Sequence, residues 1–380
     1  MKFEQTVFVI AIIWYTITAW FSSGYIHLDE QYQIIEFAGY INGWNNANEL
    51  AWEFSSQIRS SIQPFLCASF FKFCEWINVT NPFHQAFVLR LITALFSVLS
   101  IRFFINSFRN IVTHKFWRIF VILSYFIWFL PYINVRFSSE TWSELFLLLA
   151  IGIHIRNAKK AINYWYFGVS LGFAFIFRFQ AGIAIATIGC WVVFKERISP
   201  KLIGMTSLGF GLVFILGIVL EYFFYGNWTF TSWNYLRVNL IEGVASSFGV
   251  SPFYYYIQEI YKRAFTPFGI IVLATTIYAI IKKRNQLVTW VVLVFIIVHS
   301  MIGHKEVRFI FPIINLLPVF VIWFLEGMDS LNPRMIKSKI FKIGVLFLIG
   351  INAIGLVISS TTPPSSGRIE TAKQISDLNI

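Results

Sequence analysis

Thr6-Val7-Phe8-Val9-Ile10-Ala11-Ile12-Ile13-Trp14-Tyr15-Thr16-Ile17-Thr18-Ala19-Trp20-Phe21, followed closely by His27-Leu28-Asp29-Glu30-Gln31-Tyr32-Gln33, decides how this chain is read. The first run is apolar enough for a membrane helix that is retained, because no small-residue cleavage site follows it. The second places two carboxylates, an imidazole and two amides at the mouth of that helix. Ionisable groups there are costly unless solvated or paired, so they make a functional-site hypothesis by themselves. The plainer alternative is a solvated loop that merely follows a helix.

The same pattern recurs along the 380 residues. Charged residues make up only 13% of the chain against about 25% for a soluble one, and mean hydropathy is +0.68. About eleven apolar runs follow one another, near 6–21, 83–105, 117–133, 142–155, 163–178, 180–194, 202–225, 268–281, 288–303, 309–325 and 341–358. Several are short for a 30 Å hydrocarbon core, so tilted or broken pieces are expected. The expectation is an all-α polytopic membrane protein with one domain, 1–358, and a short polar tail, 359–380. Three cysteines (Cys67, Cys74, Cys190) give neither a disulfide framework nor metal spacing.

The net charge of +12 sits mostly in alternate loops and does not require nucleic acid. With the N-terminus cytoplasmic, the inner loops hold Arg109, Lys115 and Arg118, then Arg156, Lys159 and Lys160, then Lys195, Arg197 and Lys201. Further on they hold Lys282, Lys283 and Arg284, and finally Arg334, Lys337, Lys339 and Lys342. Residues 22–82, 134–141, 226–267 and 304–308 then share the outer face. The first of these loops holds Trp44, Trp52 and Trp76 and an apolar piece, Ile62 to Phe73, too short to span; an interfacial helix is expected there.

Four charged clusters gather on that face: His27, Asp29 and Glu30; Trp52-Glu53 with Arg59-Ser60 and Pro64; Arg136-Phe137-Ser138-Ser139-Glu140; and His304-Lys305-Glu306-Val307-Arg308-Phe309. Carboxylates beside His, Lys and Arg suit transfer of a sugar from a lipid phosphate to a hydroxyl. The acceptor needs a base, for which Asp29 or Glu30 is placed. The phosphate leaves as a stable anion and needs cations, not an acid. A lipid flippase or transporter is the rival reading, but such proteins show internal repeats and place polar groups at mid-membrane. Here no repeat is evident. Arg178 and Glu144, inside or at the end of apolar runs, read as a buried pair or as lining of a lipid groove, and Arg90 and Arg102 as snorkelling residues.

At this point the motifs carry a resemblance. His27-Leu28-Asp29-Glu30-Gln31-Tyr32-Gln33 resembles the H-P-D-E-x-x-Q signature of the family 22 mannosyltransferases, and His304 to Phe309 is similar to their H-K-E-x-R-F without a gap. Trp52-Glu53, Arg59-Ser60 and Pro64 resemble W-E-F…R-S…P. Tyr225-Gly226-Asn227-Trp228, Asn234-Tyr235 and Asn239 resemble F-Y-G-x-W…N-F…N. Leu28 stands where the family has Pro, Glu221 where it often has Asp, and Ser138-Ser139-Glu140 replaces R-T-x-x-N. The chain is short for a eukaryotic member, which points to a bacterial relative.

The resemblance implies a C-type glycosyltransferase fold with its site on the extracytoplasmic side: periplasmic in a bacterium, lumenal in an endoplasmic reticulum. It implies a polyprenyl- or dolichyl-phosphate mannose donor, a glycan or glycolipid acceptor and inversion at the anomeric carbon; the sequence itself shows no metal-ligand cluster, and no metal or cofactor is expected. The resemblance also implies a base in the first outer loop, carried onto Asp29 first and Glu30 second. His304, Lys305 and Arg308 are expected at the donor phosphate. His27, Gln33, Glu53, Arg59, Arg136, Glu140, Asn234, Asn239 and Glu306 are expected to bind substrate or support the site.

Overall fold

A computed structural model describes residues 2–156 and 160–377; Lys159 of one expected inner loop lies outside them. Every described residue is in a helix, a turn or a loop, with no strand among them. Each expected apolar run finds a helical counterpart. By length and apolarity alone, Lys2–Phe21, Pro82–Ser107, Pro200–Tyr225, Val307–Leu331 and Lys339–Thr361 are able to cross a membrane. Thr266–Lys282 and Leu287–Met301 form a pair bent by 120°, and Ala161–Phe177 and Phe179–Lys195 are shorter apolar helices.

The run expected at 117–133 is broken. His114–Phe126 stops and Leu130–Asn134 restarts, because Pro131 donates no amide hydrogen and disfavours helical geometry before it. Backbone groups freed inside a bilayer must find partners within the protein. The last long helix supplies them. Asn352 Nδ2 donates to Phe126 O at 2.7 Å, Trp128 N donates to Asn352 Oδ1 at 3.0 Å, and Ser359 Oγ donates to Trp128 O at 2.7 Å.

Ala161–Phe177 packs along Pro200–Tyr225 at backbone distance. A Cβ at Gly168 would lie 2.0 Å from Thr206 O, and one at Gly209 2.3 Å from Trp165 O. Small residues at crossing points are how membrane helices gain van der Waals contact where burial from water drives nothing. A polar knot ties four other segments together. Asn134 and Asn315 exchange amide hydrogen bonds at 3.1 and 2.9 Å, Asn134 reaches the Tyr15 hydroxyl at 3.4 Å, and Asn315 N donates to Glu144 Oε1 at 2.7 Å. All four side chains are buried.

Two sequence readings need correction here. Glu144 and Arg178 do not pair: Glu144 holds Asn315, while Arg178 meets Glu140 at 3.1 Å. Arg90 does not snorkel; it is buried, and its Nε donates to Ala19 O at 2.9 Å, satisfying a carbonyl at the end of the first helix. The expected polar tail also carries a helix, Ser366–Asp377, approached through a hydrogen bond from Ser365 Oγ to Tyr25 O at 2.9 Å.

In the first outer loop, Ile62–Trp76 buries Cys67, Ala68 and Phe71 against Ile34, Ala38 and Phe137. Phe73 and Trp76 are left exposed. An apolar face left uncovered beside a packed one is what a short helix lying along an interface would present. The segment after His304 begins as a tight 3₁₀ coil, Val307–Leu316, before the α-helix Leu317–Leu331. Pro312 carries no amide donor for the coil, Pro318 stands in the first turn of the helix that follows, and Arg308 lies near the coil's start.

Candidate active site

The site forms where the first outer loop meets that coil. Arg308 is its hub: Nη2 donates to Asp29 Oδ2 at 2.6 Å, Nε to Glu306 Oε2 at 2.5 Å, and Nη1 lies 3.3 Å from Glu140 Oε1. His27 bridges two of these carboxylates, with Nδ1 3.3 Å from Asp29 and Nε2 3.3 Å from Glu306. Arg59 approaches Asp29 at 3.8 Å and Glu53 at 3.4 Å, and Gln33 Nε2 donates to Glu53 at 2.8 Å. Residues far apart in sequence thus form one alternating lattice of acids and bases.

Burial by itself would raise the Asp29 carboxyl. The His27 ring and the Arg308 and Arg59 guanidiniums outweigh it and hold Asp29 far below the ordinary carboxylate range. Glu306 is held low in the same way, its burial overcome chiefly by Arg308 and by His304.

Asp29 and Glu30 are neighbours with different surroundings. Glu30 is engaged by Arg136 at 2.9 and 2.5 Å, and accepts the Ile26 and His27 amides at 3.0 and 3.4 Å. Arg136 further binds Ser22 O, Ser22 Oγ and Gly24 O. This pair clasps the loop that presents His27 and Asp29. Adjacent residues point about 100° apart on a helical turn, and only Asp29 turns to Arg308.

Two hollows meet at the Asp29–Arg308 contact. On one side is a narrow cleft whose polar lining is Asp29, Gln33, Arg59, Gln63, Glu140, Arg178, Gln180 and Tyr235, with Ile58, Ile62, Phe177 and Phe179 among its apolar walls. On the other is a larger, mainly apolar groove that touches His27, Glu306 and Arg308 at its polar end. It then runs past Trp128, Phe129, Tyr132, Val272, Phe311 and Leu317. Asp29 lines the cleft and Arg308 the groove.

The expected site residues are not all gathered here. His304 is held by Glu306 at 3.1 Å and by Gly249 O at 3.1 Å, next to the lattice. Lys305 is turned aside, its Nζ donating to Ser251 O at 2.7 Å. Asn234 donates to Gln57 O and Thr229 Oγ1, on a separate outer hollow with Trp52 and Trp233. Asn239 donates to Tyr235 O in its own helix and lines none of these hollows. Conversely, Gln63, Gln180 and Tyr235 line the cleft without having been singled out for it. The one available signal was Arg178, a charge stranded between two apolar runs.

The fold has solved counterparts. It is similar to the Archaeoglobus fulgidus oligosaccharyltransferase tethered to an acceptor peptide, with a TM-score of 0.56 at 13% identity, over 94% of this chain and 55% of that one. It is equally similar to archaeal oligosaccharyltransferase AglB from the same organism, in complex with an inhibitory peptide and a dolichol-phosphate (TM-score 0.55, 12% identity, 95% and 56% covered). An all-helical bundle of this kind, with apolar helices and a charged cleft at one end, defines an integral membrane protein of the C-type glycosyltransferase fold.

The sequence places it further: residues 6–372 match the Alg9-like mannosyltransferase family, and the chain belongs to that family. GPI mannosyltransferase 3 of Candida albicans is 28% identical over 88% of this chain and 65% of its own length. GPI alpha-1,2-mannosyltransferase 3 of Bos taurus is 25% identical over 80% and 55%, and that of Homo sapiens 23% over 77% and 52%. The chain spans between about half and two thirds of the length of these relatives.

Proposed function

We propose that this protein transfers a mannosyl residue, with inversion, from a polyprenyl- or dolichyl-phosphate donor to a hydroxyl of a glycan or glycolipid on the extracytoplasmic face. The observation that carries the reading is the 2.6 Å contact of Asp29 with Arg308 at the junction of a polar cleft and an apolar groove. The groove suits a polyisoprenoid tail. Its polar end offers the Arg308 fork to the phosphate, bidentate and charge-assisted. As the C–O bond to phosphate breaks, the anion gathers charge beside that guanidinium, with His304 close behind it. The acceptor hydroxyl enters from the cleft and attacks the anomeric carbon from the opposite face. Asp29 takes its proton there.

Asp29 is a poor base while Arg308, His27 and Arg59 hold it ionised. A donor phosphate competing for Arg308 loosens that hold and adds a negative neighbour, so the base gains proton affinity only when the donor is in place.

The test is transfer of labelled mannose from a polyprenyl-phosphate donor to lipid-linked glycans, in membranes holding equal amounts of the wild-type chain or Asp29→Asn. Transfer should fall about 10²–10⁴-fold in the variant, the usual worth of a general base. Transfer that survives in Asp29→Asn removes Asp29 from the role. No transfer by the wild type from mannose, galactose or arabinose donors returns the lipid-linked sugar flippase as the reading to pursue.

A further inference from the structure

Gln63 has no part in the lattice described above. It sits in the first turn of Ile62–Trp76 and is 3% exposed, yet neither its Oε1 nor its Nε2 has a hydrogen-bond partner among the described residues. A buried amide left with both ends unmade keeps the full cost of its desolvation, so such groups are expected to have something to bind. Gln63 lines the polar cleft on the Asp29 side. Gln33, Gln180 and Tyr235 line the same cleft.

The charges of the cleft are paired among themselves, Arg59 with Asp29 and Glu53 and Arg178 with Glu140, while Arg59 Nε and Arg178 Nε, like the Gln63 amide, have no hydrogen-bond partner among the described residues. What the cleft has to spare is therefore hydrogen bonding from groups whose charge is already balanced, beside aromatic faces. That combination fits an uncharged sugar ring better than a phosphate or a carboxylate. A side-chain amide carries a donor and an acceptor side by side, which complements two neighbouring hydroxyls of one ring.

We propose that Gln63 is the residue that selects the acceptor: its amide binds two adjacent hydroxyls of the acceptor's terminal neutral hexose and sets which hydroxyl reaches Asp29. The inference rests on the sugar-transfer reading for its catalytic consequence, but the binding itself does not. A site built to hydrogen-bond a hydroxyl rejects an analogue lacking it far more strongly than an apolar pocket rejects a size change, because the protein's own groups are then left unpaired.

The experiment uses the full chain in detergent or membranes, with octyl α-mannoside and its singly deoxygenated analogues as acceptor probes. Direct binding by saturation-transfer NMR runs beside mannose transfer from a polyprenyl-phosphate donor. In the wild type, removing either of two adjacent hydroxyls should weaken binding at least about 10-fold. Gln63→Met, which keeps the side chain's length, should lose that discrimination and raise the acceptor KM about 10-fold, with the donor KM unchanged. Gln180→Ala, half-buried in the same cleft, gives a second variant, and thermal unfolding checks that both fold.

Binding without transfer, still dependent on Gln63, upholds the subsite and overturns the transfer reading. Transfer with an unchanged deoxy-analogue preference in Gln63→Met overturns the role of Gln63 and leaves the reaction standing. Absence of both binding and transfer in the wild type overturns the subsite as well.

Discussion

At the scale of single residues the two adjacent carboxylates differ in burden, and their substitutions should differ in kind. Glu30 holds Arg136 and two backbone amides, so Glu30→Gln should lower the melting temperature and transfer together. Asp29→Asn should lower transfer with little loss of stability. Equal losses of stability in both variants would put Asp29 among the structural groups. The pH dependence separates them further. The folded-state pKa of Asp29 is depressed, so its ion pairs stabilise the fold above the unfolded value of about 3.9. That contribution is lost only as pH falls below it, through the folded value. If a donor phosphate draws Arg308 away, the carboxyl titrates higher in the donor complex than in the free enzyme. The acid limb of kcat should therefore lie at higher pH than that of kcat/KM for the donor. Coincident limbs would mean that the donor leaves Asp29 untouched.

At the scale of elements, the long helices were legible because their apolar runs exceed what any core-buried segment needs, and their order along the chain survives in the structure. The break at Ile127–Phe129 was less legible: Pro131 marks it, but its repair by Asn352 and Ser359 lies more than two hundred residues away. Site residues followed the same rule. His27, Asp29, Glu306 and Arg308 stood out as charges in short motifs, whereas Gln63 and Tyr235 are ordinary neutral residues that only the fold turns towards the cleft. Lys305 stands in the same motif, and its Nζ donates to Ser251 O. Spacing does not report which way a side chain leaves a loop. The glycines make an element-scale prediction. Gly168→Ala forces a methyl into the Thr206 carbonyl, an overpacking cost of about 1–3 kcal/mol. Gly211→Ala, on the facing helix, meets nothing within 4 Å and should gain up to about 1 kcal/mol of helix propensity. Thermal unfolding of the two variants should thus move in opposite directions. A drop in both would show that the tight crossing is not what the small residue serves.

At the scale of the whole molecule, the two ends of the bundle are chemically unlike. One end carries the lattice around Arg308. At the other, Glu4 pairs with Arg109 and accepts from Trp117 Nε1 at 2.7 Å, and Lys115 meets Asp329 at 2.5 Å. Excess Lys and Arg at this second end, in loops such as Lys282-Lys283-Arg284, predicts a cytoplasmic position for it by the positive-inside bias. The bent pair Thr266–Lys282 and Leu287–Met301 is the sharpest test of that arrangement, since helices meeting at a 120° bend form one broken span, a re-entrant loop or, as the order of apolar runs predicts, two spans. Ser247 and Asn285 are exposed, and the pairing of spans puts them on opposite sides. In a Cys190→Ala background, which removes the one exposed cysteine, Ser247→Cys should react with a membrane-impermeant maleimide in intact cells. Asn285→Cys should react only after permeabilisation. The reverse pattern would place the Asp29–Arg308 site on the cytoplasmic face and require a donor presented there. Protection of Asn285→Cys under both conditions would make the bent pair re-entrant, so that the apolar groove beside Val272 opens against a hairpin rather than between two spans.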